Sequence, residues 1–298
     1  MNKKIPVSTL ITNTAAALAR AYSNKNLCKQ YALWMLQAIT GKTELQLITQ
    51  SSLTLTQEQE KKLQKWIDAQ VNHHEPLQYL LGSVPFGDLE ILVQAPILIP
   101  RPETEEWCMI LLDHLKKLKN KKLHILDLCT GSGCIALTLA HALPQSTVLA
   151  TDIDTRAITL CKKNAKHNGI TNVTCLHSDL FTKIPKTRKF DFIISNPPYI
   201  PLNQWKTLDA SVKEWENKIA LVAEDDGLAL IKKIIEQASA YLQENAELRE
   251  KQIPQLMIEI GYQQGPAVAQ YFKKSGYTNV VVHKDLEGKD RIVSGRIL

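Results

Sequence analysis

Short apolar segments alternate with helical segments along the last two thirds of this 298-residue chain, and this alternation restricts its fold more than any other feature. Segments of strand length and segments with helical periodicity follow one another, which predicts a largely parallel α/β sheet with helices on both faces. The predicted strands are Leu123–Leu128, Thr147–Asp152, Asn172–His177, Phe190–Ser195, Gln255–Ile260, Tyr277–His283 and Arg291–Ile297, and the predicted helices lie near 134–143, 155–168, 226–243 and 264–275.

The last two predicted strands are joined by "KDLEGKD" alone. This connection is too short to hold a helix, and a parallel pair would need a long crossover. The final strand is therefore predicted to run antiparallel in a seven-stranded, mostly parallel sheet.

The first part of the chain has a different pattern, that of a small helical domain over residues 1–75. "STLITNTAAALARAY" and "NKNLCKQYALWMLQAIT" carry apolar residues at three- and four-residue spacing, and Gly41 is placed to end the second helix. Thr56 and Gln59 fit a capping box that opens a further helix running to His74. The predicted core of this domain includes Trp34, Met35 and Trp66.

Residues 76–100 contain short apolar segments broken by glycine and proline, which is typical of a linker that carries a hairpin. The remaining residues, 101–298, form the predicted α/β domain.

Composition excludes several classes of protein. No apolar run reaches the ~18 residues that a membrane span needs, so we expect no membrane association and a cytoplasmic location. The six cysteines contain no C-x-x-C pair and the eight histidines no H-E-x-x-H motif, so we expect reduced thiols and no metal. The net charge of +6 is too mild to indicate a nucleic-acid partner.

The first strand of the sheet runs into "DLCTGSGCIALTLA". Asp127 ends this strand, Gly131 and Gly133 allow a tight turn, and a helix N-terminus then offers free N–H groups at the carboxyl edge. Asp152 ends the second strand, where a carboxylate can accept both hydroxyls of a ribose. The same glycine spacing also satisfies the fingerprint of an NAD-dependent enzyme, and it can simply cap a helix.

Further residues near the carboxyl edge of the predicted sheet can be interpreted either as ligand-binding residues or as structural ones. Asp152 and Asp154 form a D-x-D pair, which can bind a metal, although the strand end already gives Asp152 a role. Asp179 follows the third strand, where it can accept a hydrogen bond from an adenine amino group, and Leu180 can pack on the ring. Both can equally be ordinary loop residues.

The fourth strand ends in "ISNPPYIP", on the same predicted edge. Two prolines cannot donate ladder hydrogen bonds, so they end the strand. The Asn196 side-chain oxygen and a carbonyl of the Pro197-Pro198 pair can accept both protons of a flat NH₂ group, and Tyr199 can stack on that group. Such a site aims the nitrogen lone pair at an electrophile. A sulfonium methyl group is a suitable electrophile, which favours S-adenosylmethionine over NAD.

The chain from Glu75 onward closely resembles the release-factor glutamine methyltransferases. The resemblance begins in "EPLQYLLGSVPFGDLEILVQAPILIPRPETEEW" and continues through "LDLCTGSGCIALTLA", "ATDID", "SDLF", "FDFIISNPPYIP", "DDGL", "MIEIGYQQG" and "KDLEGKDRIVSGR". It implies a class I S-adenosylmethionine-dependent methyltransferase with a Rossmann-like sheet, preceded by a helical domain that docks the substrate. It also implies N5-methylation of the glutamine in the Gly-Gly-Gln motif of peptide chain release factors, with S-adenosylhomocysteine as product.

The resemblance also implies roles for individual residues. Asn196, Pro197 and Tyr199 would be catalytic, and together with Pro198 they would hold the substrate glutamine. The "RPETE" signature, residues 101–105, would fix the linker and wall the pocket. The residues that would contact S-adenosylmethionine are Cys129, Thr130, Gly131, Ser132, Gly133, Asp152, Asp179, Leu180 and Asn196.

The sequence departs from the family at several points. Cys129 stands where the family has glycine, and because cysteine needs an ordinary φ we expect an altered backbone contact there. Leu98 replaces a frequent aromatic residue, and "LQENAELREKQIPQ" replaces a glycine-rich stretch by an altered surface loop. "WENKIALVAEDDGL" also differs from the usual loop that covers the site.

Two alternative substrates stay open. A ribosomal-protein glutamine requires the same chemistry with a different docking surface. Adenine N6 in nucleic acid requires a base-flipping pocket and a basic groove, whereas residues 84–298 carry a net charge of only +2. We therefore expect a release factor as partner, no stable nucleic-acid partner, and a monomer.

Overall fold

The computed structural model describes residues 4–118 and 122–297. Its first elements are β1 (Ile5–Pro6), α1 (Val7–Leu18), α2 (Lys25–Thr40), α3 (Glu44–Thr49), β2 (Ser52–Leu53), α4 (Gln57–His73) and α5 (Leu77–Leu81). There follow β3 (Ser83–Phe86), β4 (Leu89–Leu92), α6 (Pro102–Leu115), β5 (His124–Leu128), α7 (Cys134–Ala142), β6 (Thr147–Asp152), α8 (Thr155–His167), β7 (Val173–His177), β8 (Phe192–Ser195) and β9 (Ile200–Pro201). The last are α9 (Ala210–Lys213), β10 (Val222–Ala223), α10 (Ala229–Ala238), α11 (Ala246–Glu250), β11 (Leu256–Glu259), α12 (Gly265–Lys274), β12 (Thr278–Lys284) and β13 (Asp290–Arg296).

The chain divides into two compact units. One comprises the described residues up to Gly82 together with Asp209–Trp215, and the other comprises the described residues of Ser83–Leu208 and Glu216–Leu298. Within the described ranges, no helix is both long and apolar enough to cross a bilayer.

The first unit is helical, as predicted, and its helix ends follow the expected signals. Gly41 ends α2 in the left-handed conformation, and the capping box of Thr56 and Gln59 opens α4. Met35 and Trp66 are buried in its core, but the core prediction for Trp34 is wrong. Trp34 is 37% exposed, because its ring lies at the surface and stacks on Tyr31.

The second unit opens with the predicted hairpin, in which β3 and β4 pair antiparallel. All seven predicted strands of the large sheet are present, with ends within two residues of the prediction, in the order β12-β13-β11-β8-β5-β6-β7. The final strand β13 pairs antiparallel with β11 and β12, which confirms the expected reversal.

Both faces of this sheet are covered by helices. Ile125 and Ile194 belong to an apolar cluster with residues of α6, α7 and α8, while their neighbours Leu126 and Ile193 belong to a second cluster with residues of α10 and α12. Successive residues of a strand point to opposite faces, so strands buried on both faces consist of continuous apolar residues.

Two helix predictions need correction. The helix predicted near 226–243 begins only at Ala229, because Asp225, Asp226 and Gly227 have positive φ values that no α-helix accommodates. The helix α6 was missed, although Pro102 at its first turn and apolar residues at four-residue spacing indicate it. The altered loop before β11 contains the short helix α11.

Candidate active site

The predicted site residues come together at the carboxyl edge of the sheet. The chain proceeds from β5 outward to β6 and β7, then returns to place β8 on the other side of β5. Ligands of open α/β sheets bind at such a switch point. Leu128 pairs with Ser195 in the β5–β8 register. The turn of residues 129–133, called the glycine turn, and Asn196 therefore leave the sheet side by side.

The glycine turn keeps its backbone conformation despite the cysteine. Cys129 has a φ of 59°, so the expectation that it takes an ordinary φ is wrong. Its thiol is half-buried in an apolar cluster, which offsets the cost of about 1–3 kcal/mol that a left-handed non-glycine residue carries. Gly133 follows with a φ of 87°, and a Cβ there would lie 2.6 Å from Cys161 Sγ.

Beneath this turn lies the fully buried Asp127. Its Oδ2 accepts a hydrogen bond of 2.6 Å from Thr130 Oγ1, whereas its Oδ1 has no hydrogen-bond partner in the described structure. Burial raises the pKa of Asp127 to about 7, against the Thr130 hydrogen bond and a weaker attraction from the Ala136 N–H. The carboxyl group thus anchors the turn through one oxygen only.

Asp152 lies beside the turn at the end of β6. Its Oδ2 accepts from the Gly131 N–H at 2.9 Å and its Oδ1 from the Asp154 N–H at 2.8 Å. Burial raises the pKa of Asp152, and these two N–H groups oppose that shift. Each oxygen of an ionised carboxylate has a second lone pair, so Asp152 can still accept two hydroxyl hydrogens.

A cavity of about 290 Å³ opens at this edge, and predicted cofactor residues line it. The predicted residues in its wall are Cys129, Gly131, Asp152, Asp179, Leu180, Asn196 and Pro198. Leu180 has a φ of 44°, so a second left-handed non-glycine residue lies in the same wall. Strained backbone of this kind clusters at functional sites.

Other predicted residues lie behind or beside this cavity. Thr130 and Ser132 are buried; the Thr130 side chain contacts Asp127, and the Ser132 carbonyl accepts from Asn164. Pro197 is buried at the end of β8. Tyr199 lines a neighbouring cavity of about 440 Å³.

The turn after β8 is held by side-chain hydrogen bonds. Asn196 Nδ2 donates to Thr104 Oγ1 at 3.1 Å, and Thr104 Oγ1 donates to Glu259 Oε2 at 2.7 Å. Trp107 Nε1 also donates to Glu259 Oε2, at 2.8 Å, while the Tyr199 hydroxyl lies 3.4 Å from Oε1. Glu259 is 1% exposed, and its burial raises its pKa.

The "RPETE" signature contacts the hairpin and a loop of the cavity wall. Arg101 forms an ion pair with the buried Glu216, whose Oε1 accepts from the Ile99 N–H, and Glu105 accepts from the Gly87 N–H of the hairpin turn. Asn217, which follows Glu216 in the chain, donates a hydrogen bond to Asp154 and lies in the cavity wall.

Sequence reasoning missed Glu259, Glu216 and Asn217, and it gave Thr104 no specific role. The available signal for Glu259 is an acidic residue inside the apolar strand "LMIEI", because a buried carboxylate requires hydrogen-bond partners. No comparable local signal marks Asn217, whose place in the cavity wall depends on a loop conformation.

Comparisons with known proteins agree with this architecture. Residues 104–212 match the family described as "Methyltransferase small domain", and residues 9–82 match the "PrmC N-terminal domain". The catalytic domain of hMettl16 in complex with MAT2A 3'UTR hairpin 6 has a similar structure, with a TM-score of 0.55 and 15% identity over 84% of this chain and 86% of that chain. At this identity the likeness shows the fold alone.

Relatives with higher sequence identity are more informative. The Release factor glutamine methyltransferase of Lactococcus lactis is 40% identical over 238 residues, 80% of this chain and 83% of that protein. The enzyme of the same name from Flavobacterium psychrophilum is 33% identical over 95% of this chain and 96% of its own. The Bifunctional methyltransferase of Rickettsia bellii is 34% identical over 87% of this chain, which spans 49% of that longer protein. The chain therefore belongs to the release factor glutamine methyltransferase family.

Proposed function

We propose that this protein methylates the side-chain nitrogen of a glutamine, the one in the Gly-Gly-Gln motif of peptide chain release factors, with S-adenosylmethionine as methyl donor. The observation that carries the proposal is the Asn196 amide, fixed by Thr104 at a sheet edge beside a cavity that suits a nucleoside. The relatives named above support the substrate, since two of them bear this activity in their names.

The residues of the cavity fit S-adenosylmethionine. Asp152 keeps lone pairs for two ribose hydroxyls, Leu180 offers an apolar wall for an adenine ring, and Asp179 can accept from its amino group. A Cβ built on Gly131 would meet no atom within 4 Å, so the backbone there is open to a ligand. When bound, this donor supplies an electrophilic methyl group on sulfur.

The protein's own contribution to the reaction is orientation. Asn196 Oδ1 accepts one N–H of the substrate amide, and the Pro197 carbonyl accepts the other, in the role that we propose for this turn. With both hydrogens held, the amide nitrogen presents its remaining electron pair in a single direction. Fixing a poor nucleophile in an attack geometry can contribute several kcal/mol to the rate.

We further propose that the helical unit docks the release factor, and that the protein acts as a monomer in the cytoplasm. The family match over residues 9–82 supports the docking role. The positive charge supports it as well, because residues 1–83 carry +4 of the net +6.

The test is transfer of labelled methyl groups to purified release factor, ribosomal protein and DNA, offered separately. We expect label on the release factor, at the Gly-Gly-Gln glutamine in a peptide map. Label on the ribosomal protein alone would keep the chemistry and replace the partner. Label on DNA alone would contradict the proposal.

A further inference from the structure

A chain of hydrogen bonds links the Asn196 amide to a carboxylate outside the cavity wall. It runs from Asn196 Nδ2 to Thr104 Oγ1 and on to Glu259 Oε2, joining three segments that are far apart in sequence. Thr104 is 2% exposed and Glu259 is 1% exposed, so bulk water does not compete for these bonds. Such a chain can transmit a preference for one orientation of the amide.

The direction of each hydrogen bond in this chain follows from Trp107, which donates to the Glu259 end of the chain. The Trp107 indole can only donate, so Glu259 Oε2 acts there as an acceptor. Thr104 therefore gives its single hydroxyl hydrogen to Oε2 and presents only lone pairs to Asn196. The atom of the amide that faces Thr104 must then be the donor Nδ2.

This polarity decides which atom of Asn196 remains for a substrate. The two polar atoms of an amide lie on different sides of its carbon, so anchoring Nδ2 turns Oδ1 away from Thr104. Oδ1 is the atom that can accept a substrate N–H. A flipped Asn196 amide would instead turn its own NH₂ group toward the NH₂ group of the substrate, and two donors cannot form a hydrogen bond. The same carboxylate also approaches the Tyr199 hydroxyl through Oε1, so it is linked to one end of the turn directly and to the other through Thr104.

We propose that Thr104 and Glu259 are positioning residues for methyl transfer, which together set the orientation of the Asn196 amide. The proposal rests on the proposed function, since it assigns these residues to the same reaction. Neither residue is required to touch the methyl donor or the substrate. Their removal should therefore lower kcat and leave the affinity for S-adenosylmethionine unchanged.

The test compares Thr104→Val with Thr104→Ser. Valine keeps the shape of threonine and removes the acceptor, so kcat should fall about 10- to 100-fold while KM for S-adenosylmethionine stays within about twofold. Serine keeps the hydroxyl and should retain kcat within about threefold. Thermal unfolding of both variants checks that the fold is intact.

Glu259→Gln gives a second, independent measurement. Trp107 and Thr104 both donate to the Oε2 position, so the glutamine carbonyl should take that position and preserve the polarity toward Asn196. Its kcat should lie between those of the serine and valine variants. If Thr104→Val does not fold, this ranking against Thr104→Ser still tests the proposal.

Three results would overturn the positioning role. They are a valine variant with kcat within about twofold of wild type, a serine variant that loses as much as valine, and a KM for S-adenosylmethionine that rises in step with the loss of kcat. Wild-type activity in the same assay tests the proposed function separately. The variants can be compared on whichever protein the wild type methylates.

Discussion

The two halves of the site are held in different ways. The half that we propose to bind the methyl donor, called the donor half, comprises Cys129–Gly133, Asp152 and Leu180. It depends largely on backbone conformation, with positive φ at Cys129, Gly131, Gly133 and Leu180. The acceptor half, Asn196–Tyr199, depends on side-chain hydrogen bonds that end at Glu259. A turn held by backbone conformation can tolerate a change of side chain, as at Cys129, whereas a group held by side-chain hydrogen bonds depends on each of its partners.

Each half also rests on a buried acid, and the two acids differ in their partners. Glu259 has three potential donors, from Thr104, Trp107 and Tyr199. Asp127 accepts a short hydrogen bond from Thr130 and a weaker attraction from the Ala136 N–H, and its Oδ1 has no hydrogen-bond partner in the described structure. A well-partnered buried carboxylate can act as a fixed acceptor, whereas a poorly partnered one favours its protonated form.

The largest expected effect is that of Asn196→Ala in the acceptor half. The variant loses the acceptor that we propose for the substrate amide, so kcat should fall about 10³-fold or more. The donor half is built from other residues, so the dissociation constant for S-adenosylmethionine should change by less than about threefold. Radiolabel transfer and calorimetry measure the two quantities, and equal turnover by mutant and parent would refute the role of Asn196.

Asp127→Asn tests the acid of the donor half through stability. The folded pKa of about 7 lies above the unfolded value of about 3.9, so this group's stabilising contribution is complete below the unfolded pKa and is lost as pH rises toward 7. Asparagine resembles the protonated acid and does not titrate. The variant should therefore gain roughly 3 kcal/mol of unfolding free energy relative to wild type between pH 4 and pH 7.

Denaturant titrations of both proteins across this pH range measure the difference. A gap between the two curves that does not change with pH would show that Asp127 has the same pKa in the folded and unfolded protein. That result would remove the contrast with Glu259.

The sequence predicted the sheet better than it predicted the site. Strands such as Thr147–Asp152 were found to the residue, because a strand buried on both faces is a continuous apolar run bounded by turns. The helix α6 is absent from the predicted elements, because the "RPETE" signature at its start is expected to fix the linker and wall the pocket rather than to open a helix. The apolar spacing of Trp107, Leu111 and Leu115 in the same segment shows its helical period.

Within the site, the residues at strand ends were predictable and their partners were not. Asp152 and Asn196 follow apolar runs, so their shared edge follows from parallel topology. Thr104 and Glu259 are separated by 155 residues, and only the packing of α6 against β11 brings them together. The conformation of Cys129 was mispredicted because residue type alone suggested an ordinary φ, while the surrounding fold imposes φ > 0.

Asp152→Ala should have an intermediate effect, confined to the donor half. The variant loses the charge-assisted hydrogen bonds that we propose to the ribose, and it leaves the Gly131 and Asp154 N–H groups without their acceptor. Binding of S-adenosylmethionine should weaken by about 1–3 kcal/mol. Calorimetry checks this value, and an unchanged dissociation constant would count against the ribose assignment.

Cys129→Gly should have the smallest effect, and it tests the comparison most directly. Glycine adopts a φ of 59° without strain, which favours the variant, but it also gives up the packing of the thiol and adds backbone entropy to the unfolded chain. These contributions oppose one another, so the unfolding free energy should change by less than about 1 kcal/mol. Because the backbone already has the conformation that glycine would take, kcat and the affinity for S-adenosylmethionine should stay within about twofold. A tenfold change in either quantity would mean that the thiol itself contributes to the donor half, and that this half is not held by backbone conformation alone.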